Sequence, residues 1–151
     1  MADEKDKKNI EILLVEDNPA DVRLILEVFK EGKIKNKITV AHDGLEAMQV
    51  LKKEGEFKNT STPDLILLDL NMPRRNGFEF LMDLKQEEDE FKNIPVVVLT
   101  TSRAEKDILK SYDLNANCFI SKPVNMYEFI KIIKSIEDFW LSVVKLPALK
   151  G

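Results

Sequence analysis

The stretch "PDLILLDLNMPRRNG", residues 63–77, decides the fold. Leu65, Ile66, Leu67, Leu68 and Leu70 make an apolar run broken only by Asp69, and turn formers follow at Asn71, Pro73, Asn76 and Gly77. So short and apolar a run predicts a strand covered on both faces, as in a parallel sheet. A carboxylate at the end of such a strand is costly to bury unless something compensates it. Asp69 therefore calls for partners, and the rest of the chain has to supply them.

Working outward, strands and helices alternate. "EILLVED" (11–17), "KITVAHDG" (37–44), "IPVVVLTT" (94–101) and "ANCFISK" (116–122) join "DLILLD" (64–69) as predicted strands. Residues 18–32 carry Val22, Ile25, Leu26 and Phe29 at helical spacing, with Asn18 as the cap and Pro19 at the first helical position. Further helices are expected over 45–55, ending at Gly55, and over 77–88, 104–115 and 125–145. Five βα units predict an α/β, flavodoxin-like doubly wound (βα)5 sandwich with parallel strand order 2-1-3-4-5. The loops at 56–63 and 87–93 are longer than the connections need, and the acidic run Glu87 to Glu90 reads as a solvated surface.

A chain of 151 residues fits one domain. The expected division is a flexible tail over 1–9, the domain proper over 10–138, and a helix extension and tail over 139–151. A net charge of −4 disfavours nucleic acid as a partner. The single cysteine, Cys118, fits a small hydrophobic role in a reducing compartment, which points to the cytoplasm. No apolar run approaches the length of a membrane span, so no membrane partner is expected.

Ligands of this architecture sit outside the carboxyl ends of the strands. Glu16 and Asp17 stand at the end of the first strand, Asp69 at the third, Thr100 at the fourth, and Lys122 after the fifth. Three carboxylates brought together repel one another, and a divalent cation such as Mg²⁺ removes the conflict. A lysine and a hydroxyl alongside suit the oxygens of a phosphoryl group, and Asp69 is then a nucleophile that accepts phosphate. Each residue also has a plain reading. Glu16 and Asp17 could cap the following helix, Asp69 could form a turn, and Thr100 could be an ordinary strand residue. His42, the only histidine, has no companion ligands and reads as a surface residue.

With "VED" (15–17), "LLDLNMP" (67–73), Gly77, "VVVLTT" (96–101) and "FISKP" (119–123) in this order, the chain resembles a response-regulator receiver domain across residues 10–137. The interval of 22 residues from Thr100 to Lys122 belongs to the same pattern. The resemblance implies a sensor histidine kinase as phosphodonor and Mg²⁺ or Mn²⁺ as the metal. It makes Glu16, Asp17, Asp69 and the Asn71 carbonyl the metal ligands, and Asp69 the phosphorylated residue. Thr100 becomes the switch hydroxyl and Phe119 the switch aromatic. "PVVVLTTS" (95–102) and "IEDFWLSVVKLP" (136–147) are more narrowly similar to stand-alone regulators paired with cyanobacterial phytochromes. Two positions depart from the broader pattern. Thr101 is larger than the usual alanine, and Phe119 lacks the hydroxyl of the commoner tyrosine. Two other classes remain as alternatives: an aspartate-nucleophile phosphatase or phosphotransferase of the haloacid-dehalogenase kind, and a pseudo-receiver that only binds protein. The first carries a general-acid aspartate two residues after the nucleophile, where this chain has Asn71.

Only 29 residues follow Lys122, so no DNA-binding effector domain is expected, and output falls to protein contact with a downstream phosphotransfer or effector protein. The last predicted helix would reach roughly 30 Å, longer than a short-stranded sheet needs. Its overhang holds Phe139, Trp140, Val143, Val144 and Leu146, an apolar group that predicts a homodimer interface.

Overall fold

The computed structural model describes residues 10–32, 35–70, 72, 76–86, 91, 93–101, 113, 116–123 and 125–139. Five strands carry the architecture: β1 (Ile10–Val15), β2 (Asn36–Ala41), β3 (Leu65–Leu68), β4 (Val96–Thr100) and β5 (Cys118–Ser121). They form one sheet in the order β2-β1-β3-β4-β5, with every pairing parallel. The flavodoxin-like order is the predicted one. Val15 stands opposite both Ala41 and Leu68, and Thr100 opposite Ser121, so the strands end nearly level along one edge.

Four helices are described: α1 (Pro19–Glu31), α2 (Gly44–Leu51), α3 (Gly77–Gln86) and α4 (Met126–Ile136). Strand alternation divides the core in two. Leu13, Val15, Ile66, Leu68, Val96 and Val98 face α2 and α3, packing with Ala47, Leu51, Phe80 and Leu84. Ile12, Leu14, Leu65, Leu67, Val97 and Leu99 face α1 and α4, packing with Ile25, Phe29, Phe129 and Ile133. Both faces are therefore dry, which is why these strands read as unbroken apolar runs.

Local chemistry sets the helix ends. Asn18 Oδ1 accepts from the amides of Ala20 (2.9 Å) and Asp21 (3.2 Å), and Pro19 opens α1. Asn76 and Glu79 cap α3 reciprocally, each side chain accepting the other's amide at 3.0 Å. The predicted second helix, 45–55, needs correction. It starts at Gly44, is capped by Asp43, and ends at Leu51 rather than Gly55. The apolar stripe ends there, and Lys52, Lys53 and Glu54 have nothing to bury. Lys53 takes the left-handed position (φ 55°) that glycine usually fills. The Lys53 amide donates to Val50 O (3.1 Å) and the Glu54 amide to Gln49 O (2.9 Å), a Schellman closure. Gly55 (φ 56°) instead opens a short 3₁₀ turn, Gly55–Phe57.

The last helix also differs from its expected 125–145. Regular α-helix ends at Ile136, and 137–139 widen into a π turn. Residues 140–145 lie outside the described residues, as do the tail at 1–9, the acidic run 87–90 and, apart from Asp113, the predicted helix 104–115. β2 and β4 are each shorter than the predicted spans, and His42-Asp43 turns into α2 instead of continuing β2.

Candidate functional site

Three hydrogen bonds carry the sheet's ladder one residue past the strand ends, and they fix the charged side chains there. The Glu16 amide donates to Ala41 O (2.9 Å), the Asp69 amide to Val15 O (3.0 Å), and the Lys122 amide to Thr100 O (2.7 Å). Glu16, Asp69 and Lys122 are thus held by backbone that the neighbouring strand dictates, a rigid arrangement for convergent chemistry. The predicted group of Glu16, Asp17, Asp69, Thr100 and Lys122 does gather along this edge.

Carboxylate oxygens of Glu16, Asp17 and Asp69 lie within 4.8 Å of one another. Glu16 and Asp69 are buried, at 2% and 7% exposure, whereas Asp17 is open to solvent. Thr100 is fully buried and ends β4 beside them. The Lys122 ammonium is buried among carboxylates. It hydrogen-bonds Glu16 Oε1 and Asp21 Oδ2 (2.8 Å), and it stands 3.8 Å from Asp69 Oδ2.

These neighbours shift the titrations. Burial, then the charge of Asp69, pushes the Glu16 carboxyl up to about 8, against the opposing pull of Lys122. Burial works against the Lys122 ammonium, but the charge of Glu16, hydrogen bonds to Asp21 and Glu16, and the charge of Asp69 outweigh it and hold its pKa above the ordinary lysine value. The site thus has more buried negative charge than one lysine satisfies. An oxygen-only donor set of three carboxylates, one facing solvent, suits a hard divalent cation such as Mg²⁺ or Mn²⁺.

Gly77 lets the start of α3 approach the backbone just past β3 closely. A Cβ at Gly77 would come 2.5 Å from Asp69 O and 2.6 Å from Leu70 Cα, and the Gly77 amide donates to Leu70 O (3.1 Å). Asn71, the remaining expected metal ligand, lies outside the described residues. Phe119 is partly buried against the core on the α2–α3 face, and Thr101 is exposed. His42 is a surface residue, its imidazole 3.0 Å from Glu46. Cys118 is half-buried, and burial pushes its thiol pKa up. Of the expected dimer-interface residues, Phe139 is exposed (53%), and Trp140, Val143, Val144 and Leu146 lie outside the described residues.

Sequence reasoning missed Asp21. An acid in the first turn of a helix has an ordinary explanation in the helix dipole. The available signal was its place in the first turn of α1, which starts at the same edge of the sheet as Glu16 and Asp17.

The profile of the response regulator receiver domain matches residues 12–134, and the chain belongs to that family. Among individual relatives, it is 47% identical over 148 residues to the response regulator Rcp1 of Synechocystis sp., covering 98% of this chain and 99% of that protein. The crystal structure of the phosphorylated cyanobacterial phytochrome response regulator RcpA superposes with a TM-score of 0.88 at 48% identity, covering 93% of this chain and 99% of RcpA. The Mn²⁺-bound form of Rcp1 gives 0.87 at 47% identity, covering 91% of this chain and 99% of that one.

Proposed function

We propose that this chain is a stand-alone response regulator that takes a phosphoryl group from a phosphohistidine of a sensor histidine kinase onto Asp69. The observation that carries the reading is the buried Asp69 carboxylate set within 4.8 Å of Glu16 and Asp17 oxygens, with the Lys122 ammonium 3.8 Å away. An Asp69 oxygen attacks phosphorus in line. The new O–P bond forms as the P–N bond breaks, and the imidazole nitrogen keeps the electron pair. Lys122 offsets the charge gathered on the phosphoryl oxygens, and the Thr100 hydroxyl reaches them from the end of β4. Glu16, Asp17, Asp69 and the Asn71 carbonyl would hold Mg²⁺ or Mn²⁺. When bound, the cation supplies positive charge to the transferring phosphoryl group. These residues would also catalyse autophosphorylation from small donors and hydrolysis of the adduct.

The kinase is of the phytochrome-linked kind, on the strength of the Rcp1 and RcpA likeness. The protein works in the cytoplasm. Among the described residues no helix is long and apolar enough to cross a membrane. The receiver occupies 10–138, with segment 1–9 before it and segment 139–151 after it. Phosphate draws Thr100 toward Asp69 and biases Phe119, which changes the surface around β5 and α4 that a downstream protein reads. A homodimer forms through Phe139, Trp140, Val143, Val144 and Leu146.

Incubation with Mg²⁺ and acetyl phosphate, followed by intact-mass measurement, tests the reading. A single phosphoryl adduct that fails to form when Mg²⁺ is omitted is expected. No adduct would favour a binding-only module, and rapid release of phosphate over many turnovers would favour a phosphatase.

A further inference from the structure

The Lys122 ammonium has three N–H donors. Glu16 takes one and Asp21 another, at 2.8 Å, while Asp69 at 3.8 Å is beyond hydrogen-bond range. Asp21 is not one of the three carboxylates clustered within 4.8 Å. It stands on the first turn of α1, with its side chain 23% exposed against 2% for Glu16. A cleft of about 790 Å³ opens beside it, lined by Asp21, Thr101, Lys122, Pro123 and Met126 among others. Lys122 therefore bridges an inner acid and an outer one, and the outer bond is the more easily exchanged for water.

Resting on the receiver reading, we infer that Asp21 is a positioning residue that holds Lys122 back from Asp69 in the unphosphorylated state. A phosphoryl group on Asp69 places new negative oxygens within reach of Lys122. To bring its third N–H onto those oxygens the ammonium has to move inward from its place between Glu16 and Asp21, and the bond to Asp21 is the one that gives way, because Glu16 lies deeper and also needs the cation. Asp21 thereby sets how strongly the site favours the phosphorylated arrangement, without touching the phosphoryl group itself. This acid is separate from the metal-ligating set, and its effect runs through Lys122 alone.

The test uses the full chain and beryllofluoride, a phosphoryl mimic, titrated at saturating Mg²⁺ and followed by amide NMR. Asp21→Ala should bind beryllofluoride about fivefold more tightly than wild type, the scale of one partly exposed charged hydrogen bond. Asp21→Asn, which keeps an acceptor and loses the charge, should fall between. A double-mutant cycle separates the route from a simple field effect. In a Lys122→Met background, Asp21→Ala should change nothing, and a persisting gain in affinity overturns the inference. So does an Asp21→Ala protein whose affinity is unchanged or weaker. If the Lys122→Met protein does not fold or bind, the Lys122 Nζ resonance decides. It must move on Asp21→Ala substitution and move again on beryllofluoride addition, and a resonance indifferent to Asp21 overturns the inference. A wild-type protein that binds no beryllofluoride sinks the receiver reading and this inference with it, whereas wild-type binding with a silent Asp21→Ala sinks the inference alone.

Discussion

Two glutamates are buried at opposite ends of this molecule, and they are treated differently. Glu16, at the carboxyl edge of the sheet, is 2% exposed; Glu137, just past the end of α4, is 7% exposed. Burial raises the pKa of both, with help from Asp69 at Glu16 and from Asp138 at Glu137. Glu16 is provided for: Lys122 bonds one oxygen, and the Asn18 amide donates to the other at 3.2 Å. Glu137 Oε2 has no partner among the described residues, and its carboxylate lies where a side chain on Gly32 would go. A buried acid whose partners come from several strand ends belongs to a site, and one that merely fills a space beside a glycine is a cost the fold tolerates.

Four substitutions bear on that contrast. Lys122→Ala removes the cation on which Glu16 depends and should lower stability by about 3 kcal/mol without metal. Mg²⁺ should restore more stability to the variant than to wild type, with about 1.4 kcal/mol expected at ten times its Kd. Urea denaturation with and without Mg²⁺ measures both, and a variant as stable as wild type in metal-free buffer would dissolve the distinction between the two acids. Gly77→Ala puts a methyl against the backbone of Asp69 and Leu70, which cannot step aside. A loss of about 2 kcal/mol is expected by the same denaturation, together with slower uptake of phosphate from acetyl phosphate.

At the other end, Glu137→Gln should stabilise the protein by about 1 kcal/mol at neutral pH. The sign follows from linkage. A folded-state pKa raised above the ordinary glutamate value means the native protein binds the extra proton, so wild-type stability falls as pH rises through the folded value. Glutamine does not titrate, so the advantage should vanish near pH 4.5 and grow above it; an advantage independent of pH would reject the burial argument. Gly32→Ala should have the smallest effect, below about 0.5 kcal/mol. Gly32 has an ordinary φ of −70°, and only the far end of the Glu137 side chain has to leave. The Glu137 pKa, followed by NMR, should drop toward the usual carboxylate range as that carboxylate reaches water.

The sheet and most of the site were legible in the sequence for the same reason. Strands buried on both faces are largely apolar, so an acid or a buried threonine at a strand end stands out against Leu68 or Leu99. Asp21 did not stand out, because its bond to Lys122 joins residues 101 apart in the chain and only the closed sheet brings them together. Glu137 was hidden inside a long amphipathic pattern, and its space is set by the missing side chain of Gly32. The end of α2 was misjudged because Gly55 looked like the natural stop. The stop came when apolar side chains ran out at Leu51, and a lysine accepted the left-handed turn.

Reductive mapping of the adduct is the decisive test of Asp69 as the phosphoryl acceptor. After treatment with acetyl phosphate and Mg²⁺, borohydride converts an aspartyl phosphate to homoserine, which peptide mass spectrometry locates. Homoserine is expected at position 69 alone, and none in an Asp69→Asn protein that remains folded. Homoserine at another acid, or an undiminished adduct on the Asp69→Asn protein, would contradict it.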